Sequence, residues 1–344
     1  MERFRQIISQ LFKVMPVLLV LVFSSSCSNE NDEPQTPEIT PQVIFLFSPG
    51  GLGDMSYNDC ILEGVQRFKK ENPHVDVFLY SPNLFEESER IFNDWLARPG
   101  SKIPVLFVFA SSDYDDLVTK ATSGISLAQN KKILVFESRK EFEASVSSFQ
   151  ISMYGASYLA GVTAASINDN NIDKNEALVV LANPTDSPIS LAKDGFIAGY
   201  GKECTVEYLA DDWTGYVSAS LAYKRMSEWA FHYDFIFPVA GGSNSGIYRY
   251  SREYTECPYL AGMDIDQSSL SNKITGCVVK HIDQPVYKYL NEWLNTGDIP
   301  MSKVFGLESG YIDWQLSPDF QSRFKDIVES HRQKAINKEK EALW

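Results

Sequence analysis

Positive charge is scarce in this chain. Its 344 residues carry 31 Lys and Arg against 45 Asp and Glu, a formal net charge of −14. A surface of that sign repels phosphate backbones, which argues against nucleic acid as a partner; keeping the protein soluble is the plainest role of the acidity. Histidine is also sparse, with His74, His232, His281 and His331 scattered, and none of the five cysteines forms a Cys-x-x-Cys pair, so no metal-ligand grouping is present. No apolar run is long enough for a membrane span. The run over residues 14–23 falls well short of the roughly 20 residues a bilayer requires. Three nucleotide and nucleophile motifs are missing as well. Gly51-Leu52-Gly53 has Ser56 where a dinucleotide fingerprint needs glycine, neither glycine turn is followed by Lys-Ser or Lys-Thr, and residues 242–246 do not form a Gly-x-Ser-x-Gly elbow.

The composition supplies a core: 44% of residues are hydrophobic and 13% aromatic, enough for two domains or one large one. Residues 1–26 read as a secretory leader, with Arg3, Arg5 and Lys13 before the short apolar run and Ser24-Ser25-Ser26 before Cys27. Small residues ahead of Cys27 resemble a bacterial lipoprotein site, which would make Cys27 the lipidated first residue; cleavage with release, leaving an ordinary thiol, is the alternative. Residues 27–42, polar and carrying Pro34, Pro37 and Pro41, read as a disordered tether. Cys60, Cys204, Cys257 and Cys277 remain, as one or more disulfides in an oxidising compartment or as buried thiols.

From residue 43 short Val-, Ile-, Leu- and Phe-rich runs alternate with amphipathic ones. Strands are expected at 43–47, 75–80, 105–110 and 133–137, with helices at 56–71, 86–98 and 113–129. The alternation restarts after Ser152, with strands at 177–181, 206–209, 235–239, 258–263 and 275–280. Nearly continuous apolar strands indicate parallel sheets covered on both faces. The fold class is therefore α/β, two doubly wound parallel-sheet lobes with a cleft between them. Residues 43–149 with about 281–300 form the first lobe and 150–280 the second, with crossings expected over 137–152 and near Lys280. Residues 301–344 form a return segment and a C-terminal surface helix whose buried stripe is Phe320, Phe324 and Ile327.

Ligands in such sheets sit at the carboxyl ends of strands. Two glycine turns occupy that position, one per lobe: residues 48–58 and residues 240–246. Each offers free backbone N–H groups and close approach to a neutral ligand. Asp54 and Asn58 add side-chain partners to the first turn, Asp264 and Asp266 follow a strand of the second lobe where a carboxylate can accept from a diol, and Lys280 falls at a crossover. Tyr57 on the first turn, with Trp213 and Tyr216 after the strand at 206–209, supply aromatic faces for a planar ring. For each of these a structural or solvated role is the competing reading.

The run from Gly50 to Asn58, followed by Glu63-Gly64, resembles the opening motif of the basic membrane protein family of bacterial lipoproteins. The likeness continues at 156–161, 195–199, 236–242, 262–267 and 278–283, six ordered segments between residues 43 and 310. The resemblance implies a type 1 periplasmic-binding-protein fold that binds purine nucleosides for an ABC importer. It places base stacking on Tyr57, ribose binding on Asp264 and Lys280, the ligand-side glycine turn on Gly241 and Gly242, base reading on Glu137, and a second stacking aromatic on Trp213. Where the family commonly shows a glutamate, this chain has Gly155. That loss, with the longer Glu137 carboxylate, points to a ligand other than a standard purine nucleoside. The expected function is therefore capture of a nucleoside-like molecule by a lipid-anchored protein of the cell envelope and delivery to an inner-membrane permease, with no cofactor. A sensor or scavenger with the same fold is the alternative, and a nucleoside hydrolase using Asp264 and Asp266 a weaker one.

Overall fold

A computed structural model of the chain describes residues 39–48, 51–143, 145–168 and 176–343. The leader, Cys27 and the tether as far as Glu38 lie outside the described residues, as do Pro49 and Gly50 of the first glycine turn. The first sheet is built from β1 (Gln42–Leu46), β2 (Asp76–Tyr80), β3 (Val105–Phe109), β4 (Lys131–Phe136) and β5 (Val146–Ile151), interleaved with α1 (Tyr57–Glu71), α2 (Phe85–Ala97) and α3 (Asp115–Thr122). After α4 (Tyr154–Asn168), the second sheet takes β6 (Ala177–Leu181), α5 (Ser187–Tyr200), β7 (Thr205–Tyr208), α6 (Ala219–His232), β8 (Phe235–Val239), α7 (Asn244–Glu253), β9 (Tyr259–Asp264) and β10 (Ile274–Lys280). The chain closes with α8 (Asp283–Thr296), β11 (Lys303–Phe305), β12 (Ile312–Leu316) and α9 (Pro318–Leu343).

Strand order shows that the lobes are topological twins. The sheets run β11-β5-β4-β3-β1-β2 and β12-β10-β9-β8-β6-β7. Each has the doubly wound 2-1-3-4-5 order with one late strand added at the edge, parallel for β11 and antiparallel for β12. Every residue of β3, β6 and β8 is buried, as helices on both faces require, whereas the edge strand β2 is largely exposed.

The sequence does not announce β5 as a strand. Its residues Val-Ser-Ser-Phe-Gln-Ile read as polar and fall in the segment 137–152 expected to cross between lobes, yet Ser147, Ser148 and Gln150 are buried. The two serines are satisfied by the segment leading into β11: Ser147 donates to the Pro300 carbonyl, and the Ser148 amide donates to Ser302 Oγ at 3.0 Å. The chain leaves the first sheet after Ile151, returns after Lys280 with α8 packed on α1, and crosses again between β11 and β12. In α9 the buried residues include Phe324, Val328 and Ala335; Ile327, expected in the stripe, is 36% exposed.

One buried carboxylate fastens two of these crossings. Glu339, near the end of α9 and 3% exposed, accepts from Ser152 Oγ at 2.8 Å, the Gly155 amide at 3.0 Å and the Leu307 amide at 2.7 Å. A Cβ on Gly155 would lie 2.9 Å from Glu339 Oε2, so the space at residue 155 is filled by an acid from the far end of the chain. The carboxylate caps the first turn of α4 and of the turn after β11. Glu339→Ala leaves three donors without a partner in a buried site, and we expect it to destabilise the protein by about 3–5 kcal/mol in urea unfolding; a loss below about 1 kcal/mol would refute the clamp.

Candidate functional site

A cavity of about 260 Å³ lies between the lobes at the carboxyl ends of their strands. All nine residues expected at the site line it: Asp54, Tyr57, Asn58, Glu137, Trp213, Gly241, Gly242, Asp264 and Lys280. Asp266 does not. Its carboxylate turns back to accept from the Ser268 amide at 2.9 Å, against Cys277. Cys60, Cys204, Cys257 and Cys277 are free thiols.

Asp54 and Asn58 hold the first turn in shape. Asp54 accepts from the amides of Ser56, Asn58 and Asp59 and from Asn58 Nδ2 over 2.9–3.3 Å, which satisfies the open N-terminus of α1. Asn58 Oδ1 in turn accepts from Ser48 Oγ at 3.0 Å, and Asp59 accepts from the amides of Gly53 and Met55. Burial pushes the Asp54 carboxyl above its ordinary range against those amides. This aspartate organises the backbone that meets the cavity.

The residues that cross the cleft form a cluster around Lys280. Its ammonium, on a side chain 3% exposed, lies 3.0 Å from Glu137 Oε1 and 5.2 Å from the centroid of the Tyr57 ring. Tyr57 is anchored by its hydroxyl, which donates to the Ala110 carbonyl at 2.8 Å, and Ser56 Oγ donates to Asp264 across the lobes. Glu137 and Asp264 each end a strand with a left-handed backbone, φ 61° and 66°. Non-glycine residues rarely adopt that conformation, and its cost is tolerated where it aims a side chain at a ligand. Burial raises the pKa of both carboxylates; Lys280 opposes the rise at both, aided at Glu137 by the nearby Ile151 amide and at Asp264 by Ser56. Among the described residues, no donor meets Glu137 Oε2 in hydrogen-bonding geometry.

The second glycine turn faces this cluster. Gly241 has φ 51°, and a Cβ there would come within 3.0 Å of Tyr216 Cδ1, so glycine is required both by conformation and by space. A Cβ on Gly242 would stand 3.8 Å from Asp54 Cβ. The two turns therefore meet across the cleft, and the lobes are closed.

Sequence reasoning missed two further acids of the lining, Asp186 and Asp113. Asp186, between β6 and α5, accepts from the Tyr216 hydroxyl through Oδ2, while its buried Oδ1 has no partner among the described residues. Asp113, on the loop after β3, lines the opposite wall and accepts from Ser111 Oγ at 2.7 Å. That loop is tied to β1 by Tyr114, whose hydroxyl donates to the Phe47 carbonyl at 2.8 Å. Trp213 and Tyr216 stand on a short turn whose start is fixed by Asp212 accepting from the Thr214 amide at 2.9 Å. The signal that was available is position: Asp186 follows β6 as Asp54 follows β1. Burial, then the charge of Asp113, pushes Asp186 up to about 7. A folded pKa above the unfolded 3.8 stabilises the closed protein fully below that value, and the contribution is lost as pH rises through about 7. We therefore expect the ligand-free protein to melt several degrees lower at pH 8 than at pH 5, and Asp186→Asn to reduce the difference. Equal pH slopes for variant and wild type in thermal melts would overturn this.

Two lobes of twin topology closing on a cavity between them have the architecture of a type 1 periplasmic binding protein. The chain belongs to the family described as ABC transporter substrate-binding protein PnrA-like, whose model matches residues 41–342. That is a family of binding proteins, not enzymes, and among the described residues no His, Cys, Asp and Glu group is arranged to hold a metal. Over 199 residues the chain is 28% identical to Basic membrane protein C of Borreliella burgdorferi strain B31, a match that covers 54% of this chain and 53% of that protein. It is 30% identical over 97 residues to Basic membrane protein D of strain JD1, 27% of this chain and 28% of that one. The match thus spans about half the length of the first of these relatives. In structure it is similar to an ABC transporter solute-binding protein of Aeropyrum pernix K1, with a TM-score of 0.69 at 19% identity over 87% of this chain and 92% of that one. It is also similar to a carbohydrate transporter solute-binding protein of Agrobacterium radiobacter in complex with D-arabinose, with a TM-score of 0.62 at 14% identity, covering 85% and 99%. At these identities the likeness is one of fold.

Proposed function

We propose that this protein captures a nucleoside-like small molecule between its lobes and delivers it to an ABC permease. Residues 1–26 act as the leader, Cys27 carries the lipid, and the residues between Cys27 and the start of β1 tether the body to the bilayer of the cell envelope. No described helix is long and apolar enough to cross a membrane, which suits a protein held by a lipid.

The observation that carries the reading is the cluster of Tyr57, Lys280 and Asp264 in the cavity lining, which Trp213 shares. An anchored ring gives a planar base a face to stack on; an ammonium beside a carboxylate gives ribose hydroxyls both a donor and an acceptor. Closure of the lobes over the ligand is the whole mechanism, since binding and release need no covalent step. The acid at the ligand end of β4 is Glu137, whose side chain reaches one methylene further than an aspartate would.

Calorimetry with adenosine, guanosine, inosine and cytidine tests the assignment. We expect at least one to bind with a micromolar constant, about −8 kcal/mol, and Tyr57→Ala to weaken it roughly tenfold while Tyr57→Phe keeps the stacking face. Neither heat nor thermal stabilisation with any of the four would sink the nucleoside reading. Undiminished binding by Tyr57→Ala would remove the stacking role.

A further inference from the structure

The cavity holds an acceptor that nothing among the described residues satisfies. Asp186 Oδ1 is buried and unpartnered, while Glu137, 5% exposed on the opposite lobe, has Lys280 and the Ile151 amide beside its carboxylate. Asp113 adds a third carboxylate to the same lining. The Tyr216 hydroxyl donates its proton to Asp186, and Lys280, the only basic residue among the described residues lining the cavity, is paired with Glu137 Oε1. An unsatisfied buried acceptor is destabilising. A ligand that supplies the missing donor recovers that cost.

The kind of donor follows from the charges around the open oxygen: Asp186 carries Tyr216 on Oδ2 and feels the carboxylates of Asp113 and Glu137. A hydroxyl carries lone pairs that need a donor in return, and a ring carbonyl would place its oxygen against carboxylates. An amino group conjugated to a heterocycle is a donor in both its N–H bonds and asks for nothing back. We propose that Asp186, with Asp113 and Glu137 around it, forms a subsite for an amino group on the ligand's base, so that the protein selects amino-bearing nucleosides over analogues without that group. This deepens the nucleoside reading and rests on it. Asp186 is a specificity residue of the second lobe, remote in sequence from Tyr57 and the first glycine turn.

Two matched pairs of ligands isolate the amino group: adenosine against purine riboside, which lacks only the 6-amino group, and guanosine against inosine, which lacks only the 2-amino group. By calorimetry we expect the amino-bearing member of at least one pair to bind at least tenfold more tightly. Asp186→Asn, which offers N–H in place of an acceptor oxygen, should bring that ratio below about threefold, chiefly by weakening the amino-bearing member. A thermal melt of the variant confirms that it is folded, and the wild-type ratios stand without it. Nucleosides that bind with no preference in either pair overturn the subsite and leave the parent reading intact, as does a preference that survives Asp186→Asn. Failure of all four ligands to bind overturns the subsite, and failure of cytidine as well overturns the parent reading with it.

Discussion

A single buried ammonium group governs the closed cleft. Lys280 is the only basic residue among the described residues of a lining that contains Asp54, Asp113, Glu137, Asp186 and Asp264. Carboxylates taken out of water are costly unless paired or hydrogen-bonded, and burial is the leading cause of the raised pKa at all five. Lys280 opposes the rise at Glu137, Asp264 and, more weakly, Asp186. It comes from the second sheet while Glu137 comes from the first, so the ion pair forms only when the lobes meet. The site is thus assembled by closure, with five carboxylates around one ammonium group.

Topology explains why the site needs so many short-range supports. The residues lining the cavity lie at strand ends and in the turns and helix starts that follow them, where backbone N–H groups and side chains of several strands converge. Turns there have little apolar packing to define them. Asp54, Asp59 and Asp212 supply the definition by accepting backbone amides, so part of the acidity that looks like ligand chemistry is the scaffold of the turns. The carboxylates that remain for a ligand are those set on strand ends or left with an open oxygen: Asp264, Glu137 and Asp186.

The fold is legible in the sequence because parallel strands buried on both faces write themselves as unbroken apolar runs, as β3, β6 and β8 do. The pattern fails at β5, where buried serines are satisfied by residues about 150 positions away. No local pattern encodes that. The same limit applies to the site. The first glycine turn, Gly241, Asp264 and Lys280 stand out by type and position, whereas Asp186 and Asp113 are ordinary acids until the lobes close. What sets them apart is the pairing of Asp186 with Tyr216, thirty residues away, and its field from the opposite lobe.

Gly155 shows how a missing residue can mislead. The absence of an acid at that position suggests an altered ligand, because a side chain expected near the cleft is gone. In the fold, Glu339 from α9 places its carboxylate against the Gly155 amide and leaves no room for a side chain there. The same carboxylate also binds Ser152 and Leu307 and so joins two of the interlobe crossings. A carboxylate in that position is turned away from the ligand cavity, whose lining does not include it. The substitution therefore bears on how the C-terminal helix is fastened to the hinge. Differences in ligand choice must be sought among groups that face the cavity with acceptors to spare, and that reasoning leads to Glu137 and Asp186.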